Sequence, residues 1–492
     1  MSGADLVSTR EQRYRMYVGG AWVPAADGGV YPTVNPYTGT AWANVPDGGA
    51  EDVDRAVRAA RAALDHGPWR TMSASRRGRL LTDLSELLER DAERLAEIET
   101  RDNGKLLRET RAQMHHVPGF FRYFGGAADK LEGAVIPADH PGFLVYTRHE
   151  PVGVVGAIIP WNVPLLLLAG KVAPALAAGC TVVIKPSEHT PASALELARL
   201  AEEAGFPPGV VNVVTGWGPP TGAALAAHPL VDRISFTGSD ATGREVVKAG
   251  VANLTRVILE LGGKSPNLVF ADADLDSATN GIATGIFGAG GQSCLAGSRL
   301  LVQREVHDEL VDRLVARADA LTLGDPMAAA TDIGPMAMQG QFDKVVQFFD
   351  VARAEGASVA AGGAAAPDAG PLFVRPTVLT RVRNDMRVAQ DEIFGPVLSV
   401  VPFRDEEEAV RLANDTRFGL AAAVWTRDVH RAHRVAHEVR AGTVWVNAYR
   451  TLGFNVPFGG YRDSGWGREN GFDAMREYTE TKSVWVETSG SW

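Results

Sequence analysis

Apolar and polar positions along the chain change period twice. Near the start, RMYV-GG-AWV alternates on both sides of Gly19-Gly20, the pattern of a β-hairpin. Helical spacing follows. In residues 51–64, Val53, Ala56, Val57 and Ala60 fall on one face, and residues 75–103 read as one long helix stopping at Asn103-Gly104. From about 151 to 262 the strand-like runs VGVVGAII, TVVIK, VVNVV, RISF and RVILEL alternate with helix-like runs. Such alternation predicts βαβ units and a mostly parallel sheet covered by helices. The pattern restarts after Pro266: SPNLVF, GSRLLVQ, PVLSVVPF and GTVWVN read as strands, and 276–289, 305–321, 406–414 and 429–439 as helices. A domain joint is therefore expected near Gly262-Gly263. In such α/β sheets, residues just past a strand are the first candidates for a site.

Composition narrows the class. A chain of 492 residues predicts about three domains, and 45% hydrophobic with 22% charged residues is an ordinary globular balance. The net charge of −10 argues against general affinity for nucleic acid or anionic lipid. Two cysteines exclude a disulfide framework and a cysteine-cage zinc site, and favour a reducing cytoplasm. The first twenty residues lack an apolar core and carry Asp5 and Glu11, unlike a signal or transit peptide. Residues 151–170 are uncharged, but Pro160, Trp161, Asn162 and Pro164 interrupt them, so a buried strand and helix are expected rather than a membrane span. No repeat is visible. The small-residue stretch 360–370 reads as a surface loop.

General catalytic motifs are absent. Gly216 and Gly218 lead to Thr221 where a dinucleotide fingerprint needs its third glycine, and Ile258 stands where GGKS would need a glycine to be a phosphate loop. There is no H-E-x-x-H, no G-x-S-x-G and no clustered set of histidine ligands, so no metal is expected. Cys294 lies in GAGGQSCLAGSR, where small neighbours let a substrate approach a thiol; it is read as a nucleophile or a buried structural cysteine. Cys180, entering TVVIK, reads as core. Glu260 ends an apolar strand, where a carboxylate is paired with a cation or used chemically. Lys185 follows a buried strand and suits a phosphate or ribose.

Seven motifs then occur in one order: PWN at 160–162, KPSE at 185–188, FTGS at 236–239, ELGGKSP at 260–266, GQSC at 291–294, EIFGPV at 392–397 and PFGGYRDSGWGRENG at 457–471. Together they resemble the aldehyde dehydrogenase superfamily. The resemblance implies an α/β fold with a Rossmann-like cofactor domain (1–130 and 151–262), an α/β catalytic domain (263–470) and a small β oligomerisation element (131–150 and 478–492). By the same resemblance, Cys294 is the nucleophile, Asn162 the oxyanion donor and Glu260 the base, with Glu469 and Lys171 as a supporting proton-relay pair. Cofactor residues carried over are Trp161, Lys185, Ser187, Glu188, Gly238, Ser239, Gly243, Leu261, Glu392 and Phe394. Glu188 favours NAD over NADP, because a carboxylate accepts hydrogen bonds from a 2′-hydroxyl and repels a 2′-phosphate.

The substrate tunnel is expected from Val163, Leu167, Gly170, Leu295, Leu452 and Phe458. Gly170 stands where many relatives have an aromatic ring, which implies a wider tunnel. This apolar set favours a medium-to-bulky hydrophobic aldehyde, aromatic or long-chain, oxidised to the acid. Arg450 and His116 near the mouth raise the alternative of an anionic-tailed semialdehyde. A CoA-acylating reaction and a non-catalytic role are the other readings, and Glu260 and the complete Cys294, Asn162, Glu260 set argue against them. A cytoplasmic homotetramer is expected, with a homodimer as the alternative, and no nucleic-acid or membrane partner.

Overall fold

A computed structural model describes residues 12–490. The last two residues of the expected 478–492 segment, and residues 1–11 with their non-leader reading, lie outside the described residues.

Two large sheets carry the site. The first contains five parallel strands in the spatial order Arg256–Glu260, Arg233–Thr237, Val154–Ile158, Thr181–Lys185, Val211–Val213. Nearly all of their residues are buried, which is why they read as continuous apolar runs. The hairpin Met16–Val18 and Ala21–Val23, turning at Gly19-Gly20 as predicted, extends one edge in the antiparallel sense. From the strand Val154–Ile158 the chain winds to one side and then returns to the other. The order therefore reverses between Val154–Ile158 and Arg233–Thr237, and ligands of open α/β sheets bind at the carboxyl ends of such strands.

The second sheet has six parallel strands, ordered Thr377–Thr380, Val397–Phe403, Arg299–Gln303, Pro266–Val269, Ala421–Trp425 and Thr443–Val446. Ser358–Ala361 adds an antiparallel edge. The chain passes between the two sheets at Leu261 to Ser265, but it also returns: Gly465–Trp466 pairs with Arg256–Glu260 in the first sheet. A third sheet joins Val135–Ile136, Phe143–Pro151 and the chain's last strand, Thr479–Glu487, in nine-residue antiparallel register from Thr479 against Pro151 to Glu487 against Phe143.

Several expectations change. Residues 75–103 form two helices, Ala74–Arg90 and Ala92–Asn103, divided at Asp91. The Asp91 carboxylate accepts hydrogen bonds from Arg90 and from Arg199 of the helix Ala192–Glu203, which holds the joint through tertiary ion pairs that helical periodicity does not carry. The 360–370 stretch is not wholly surface: Ala361 closes a strand, and Ala366 is fully buried. The strand Ala421–Trp425 (AAAVW) and the helices Leu107–Ala127 and Gln339–Ala354 were not predicted. Alanine has low strand propensity, so only burial between Pro266–Val269 and Thr443–Val446 makes AAAVW a strand. The apolar stretch 151–170 is the strand Val154–Ile158 and the start of the helix Pro164–Ala178. Among the described residues no helix is long and apolar enough to cross a membrane.

Candidate active site

The carboxyl ends of the first sheet face the amino ends of the second, and the candidate residues converge between them. Past Val154–Ile158 the chain runs through Pro160, Trp161 and Asn162 before Pro164 opens a helix. Past Arg233–Thr237 come Gly238 and Ser239, whose hydroxyl accepts from Thr242 N at 3.1 Å and caps the helix Asp240–Val251. Cys294 arrives from the opposite side, on the turn that leads into Arg299–Gln303; it precedes its strand rather than following it. Cys294, Asn162, Trp161, Gly238, Ser239, Leu261, Glu392 and Phe394 line one cavity of about 130 Å³. Pro160, Trp161, Thr237, Gly238 and Ser239 also line a larger cavity of about 650 Å³ holding Lys185, Ser187 and Glu188, so the two form a continuous cleft.

Two carboxylates, Glu392 and Glu260, act electrostatically on the Cys294 thiol, and a third, Glu469, acts on Glu260. Glu260 is 3% exposed, and neither of its oxygens has a hydrogen-bond partner. The expected alternative, an ion pair with a neighbouring cation, is therefore absent among the described residues. Burial, and next the like charge of Glu469, push its carboxyl well above the usual range, against the pull of Lys171 and Arg468. Lys171 and Glu469 form a fully buried ion pair, with Ser235 Oγ 3.3 Å from each. Glu392 accepts from Gly263 N at 3.0 Å, and burial raises it to about 7. Burial and the charges of Glu392 and Glu260 push the Cys294 thiol up to about 12, with Arg450 acting in the opposite direction. Cys180 is different: its buried thiol donates to Tyr478 O at 3.3 Å in the core. Both cysteines are free.

Asn162 is held at both ends. Its Nδ2 donates to Gln292 O at 3.0 Å, and its own carbonyl accepts from Asn103 Nδ2 at 3.4 Å. The amide retains a second N–H, so an oxygen developing beside Cys294 has a donor at hand.

The larger cavity suits a dinucleotide. Gly238 packs directly on the Phe236 ring, from which a Cβ would lie 2.5 Å away. Gly243 allows close packing of its helix: a Cβ would lie 2.8 Å from Leu261. Lys185 and Glu188 pair at 3.0 Å. Burial opposes ionisation of Glu188, but Lys185 together with a backbone N–H and His189 holds the carboxylate below its usual range. Ser187, also in this loop, accepts from His189 N at 3.3 Å. Phe394 adopts φ of +61°, uncommon for a bulky residue, with its carbonyl and that of Ile393 accepting from Gln341 Nε2 at 2.8 and 3.0 Å. In that pose its ring meets Trp161 edge-on at 5.3 Å.

The expected tunnel residues converge less completely. Leu295 and Phe458 share one apolar cluster, against which Cys294 packs, while Val163, just before the helix Pro164–Ala178, and Leu167, on its first turn, are half-buried and Leu452 is 40% exposed. At Gly170 a Cβ would meet Asn470, Phe120 and Glu469 at 3.4 to 3.7 Å, ordinary contact. Sequence reasoning missed an aromatic group nearby, in which Phe454 packs on Phe120, Tyr123 and His116 at 6.0, 5.6 and 5.5 Å. It also missed Asn103, Gln292, Gln341 and Lys344; Gln292 was inside the quoted GQSC, but its service to Asn162 depends on contact between residues 130 positions apart. Arg450, with φ of +61°, donates to Thr284 O at 3.3 Å and has no ion pair among the described residues.

Comparison with known proteins agrees with this geometry. The profile of the Aldehyde dehydrogenase family matches residues 22–484. The chain is 48% identical over 476 residues to the human protein named "Aldehyde dehydrogenase, mitochondrial", covering 96% of this chain and 92% of that protein. It is 46% identical to an aldehyde dehydrogenase of Emericella nidulans, covering 96% and 95%. Among solved structures, betaine aldehyde dehydrogenase from Staphylococcus aureus in complex with NAD+ superposes with a TM-score of 0.96 at 40% identity, covering 97% of this chain and 95% of that one. An NAD+ complex of an aldehyde dehydrogenase from Bacillus cereus gives 0.95 at 45%, covering 97% of each. The chain belongs to the aldehyde dehydrogenase family, whose members are NAD-dependent oxidoreductases.

Proposed function

We propose that the protein oxidises a medium-to-bulky apolar aldehyde, aromatic or long-chain, to its carboxylic acid, with Cys294 as nucleophile and NAD as the preferred cofactor. The observation that carries this reading is the opening of Cys294 and Asn162 onto one cavity, with Glu260 buried and unpartnered beside it. The Cys294 thiolate adds to the aldehyde carbon, and the resulting oxyanion is held by the Asn162 amide and the Cys294 backbone N–H. Lys185, Ser187, Glu188, Gly238, Ser239, Gly243, Leu261, Trp161, Glu392 and Phe394 would hold NAD in the cleft, where it would supply the hydride acceptor that turns the Cys294 adduct into a thioester. Glu260 takes a proton from water, the water adds to the thioester, and the acid leaves with return of the thiolate. A raised carboxyl suits a base that must accept a proton near neutrality. Glu469 and Lys171 carry protons behind it.

The Phe120, Tyr123 and Phe454 group, with Leu295 and Phe458, supports an apolar substrate over a small charged one. One observation favours a second reading: the unpaired Arg450 guanidinium acts electrostatically on Cys294, which suits an aldehyde with an anionic far end. The Lys185–Glu188 pair supports NAD over NADP. Free cysteines support a reducing cytoplasm, and the exposed apolar side chains of the third sheet support a homotetramer, with a homodimer as the alternative.

The test is NADH absorbance over aliphatic, aromatic and ω-carboxylate aldehydes, with NADP in parallel and the product identified. Turnover of apolar aldehydes to free acid, abolished in Cys294→Ala, is expected. Preference for ω-carboxylate aldehydes moves the assignment to the second reading. Release of acyl-CoA in the presence of CoA removes the hydrolytic step.

A further inference from the structure

The last turn of the helix Ala92–Asn103 reaches both loops of the site. Glu99, Asp102 and Asn103 are all buried there. Glu99 Oε1 accepts from Leu165 N at 2.7 Å, occupying the first free donor of the helix Pro164–Ala178, since Pro164 has none. Asp102 Oδ2 accepts from Ala192 N at 3.1 Å and so fixes the start of the helix that follows the Lys185 to Glu188 loop. Asn103 Nδ2 donates to the Asn162 carbonyl at 3.4 Å while its Oδ1 accepts from Lys105 N at 3.0 Å.

These contacts close a ring. Gly104 ends the helix at φ of +75°, a conformation that suits glycine, and a Cβ there would lie 2.8 Å from Pro335. Two residues beyond Pro335, Ala337 N donates to Gln292 Oε1 at 2.9 Å, and the Gln292 carbonyl receives the Asn162 amide. Backbone and side chain of Asn162 are thus anchored from two directions, by residues that meet again around Gly104 and Pro335.

We infer that Asn103 is a positioning residue for the reaction: by holding the Asn162 peptide, its amide aims the remaining Asn162 N–H at the oxygen that develops beside Cys294. The inference rests on Asn162 being the oxyanion donor. Asn103 lines neither cavity of the cleft. Its effect falls on a donor used mainly in the transition state, so kcat falls while ground-state binding is kept.

Asn103→Ser separates this role from the local one, because a serine hydroxyl at this place still accepts from Lys105 N but is too short for the Asn162 carbonyl. Asn103→Asp is isosteric, keeps the acceptor and loses the donor; it carries the same expectation if the serine variant fails to fold. In the full-length enzyme, kcat falls about tenfold, while KM for the aldehyde, NAD affinity and the rate of Cys294 alkylation by iodoacetamide stay within about twofold of wild type. Asn162→Ala falls about a hundredfold or more, and adding Asn103→Ser to it costs nothing further. Two results overturn the inference alone: wild-type kcat in both Asn103 variants, or a double variant about tenfold slower than Asn162→Ala. Wild-type kcat in Asn162→Ala removes the oxyanion reading itself, and this inference with it.

Discussion

Buried charge at the candidate site is arranged so that each carboxylate has a different environment. Glu469 has the Lys171 ammonium beside it, Glu392 has a backbone N–H, and Glu260 has neither. A base that works deprotonated loses activity as pH falls through its own pKa, and Glu260 is held above the usual carboxylate range; with Glu260 as the proposed base, acid release from the acyl-enzyme fails at a higher pH than an exposed glutamate would allow. Glu469→Gln removes the like charge that raises Glu260 and frees the Lys171 ammonium that lowers it. Both changes favour the carboxylate, so the acid limb of single-turnover acid release moves to lower pH; an unmoved limb removes Glu469 from its control. These residue identities were legible in the sequence because short motifs name them. Their electrostatics were not, because ELGGKSP gives no sign that Glu260 lacks an ion-pair partner, and GRENG none that Glu469 has one. ELGGKSP also concealed Lys264, whose buried Nζ has no hydrogen-bond partner and which burial, then Arg299, lowers to about 7.

Among the elements, helices in this fold are fastened through their ends as much as through their faces. Arg299, 0% exposed on the strand Arg299–Gln303, donates to Leu412 O and Ala413 O at 3.0 and 2.9 Å, capping the helix Glu406–Asn414, and to Lys264 O and Asn384 Oδ1. Burial lowers it to about 10 without discharging it near neutral pH. Arg299→Met leaves those acceptors unpaired and destabilises the protein by about 3 kcal/mol, read as a lower denaturation midpoint in urea at unchanged slope. A change under about 0.5 kcal/mol denies the capping role. The periodicity of 406–414 predicted this helix at its observed bounds, since one face is consistently apolar. It could not predict that an arginine more than a hundred residues earlier ends it, nor that Arg199 helps divide the helices at Asp91.

At the scale of the molecule, the third sheet leaves Val135 72%, Trp485 51%, Leu144 45% and Val486 40% exposed, on strands drawn from residues 135–151 and from the segment 479–487. If this is the assembly surface, Trp485→Glu shifts the sedimenting species to smaller mass while the far-UV spectrum is kept; an unchanged mass excludes this sheet as the assembly surface. The two alternating stretches and the convergence of the seven motifs on an aldehyde-oxidising family could be reached from the sequence alone. Burial on one or both faces imposes a local period, and chemistry-bearing loops keep short residue strings. What only the tertiary structure decided is of another kind: the strand at AAAVW, the return of Gly465–Trp466 to the first sheet, the Cys294 loop facing the carboxyl ends of a sheet it does not belong to, and Asn103 holding Asn162. Each depends on groups far apart in the chain meeting in space, and a contact at long separation leaves no period in the residues between.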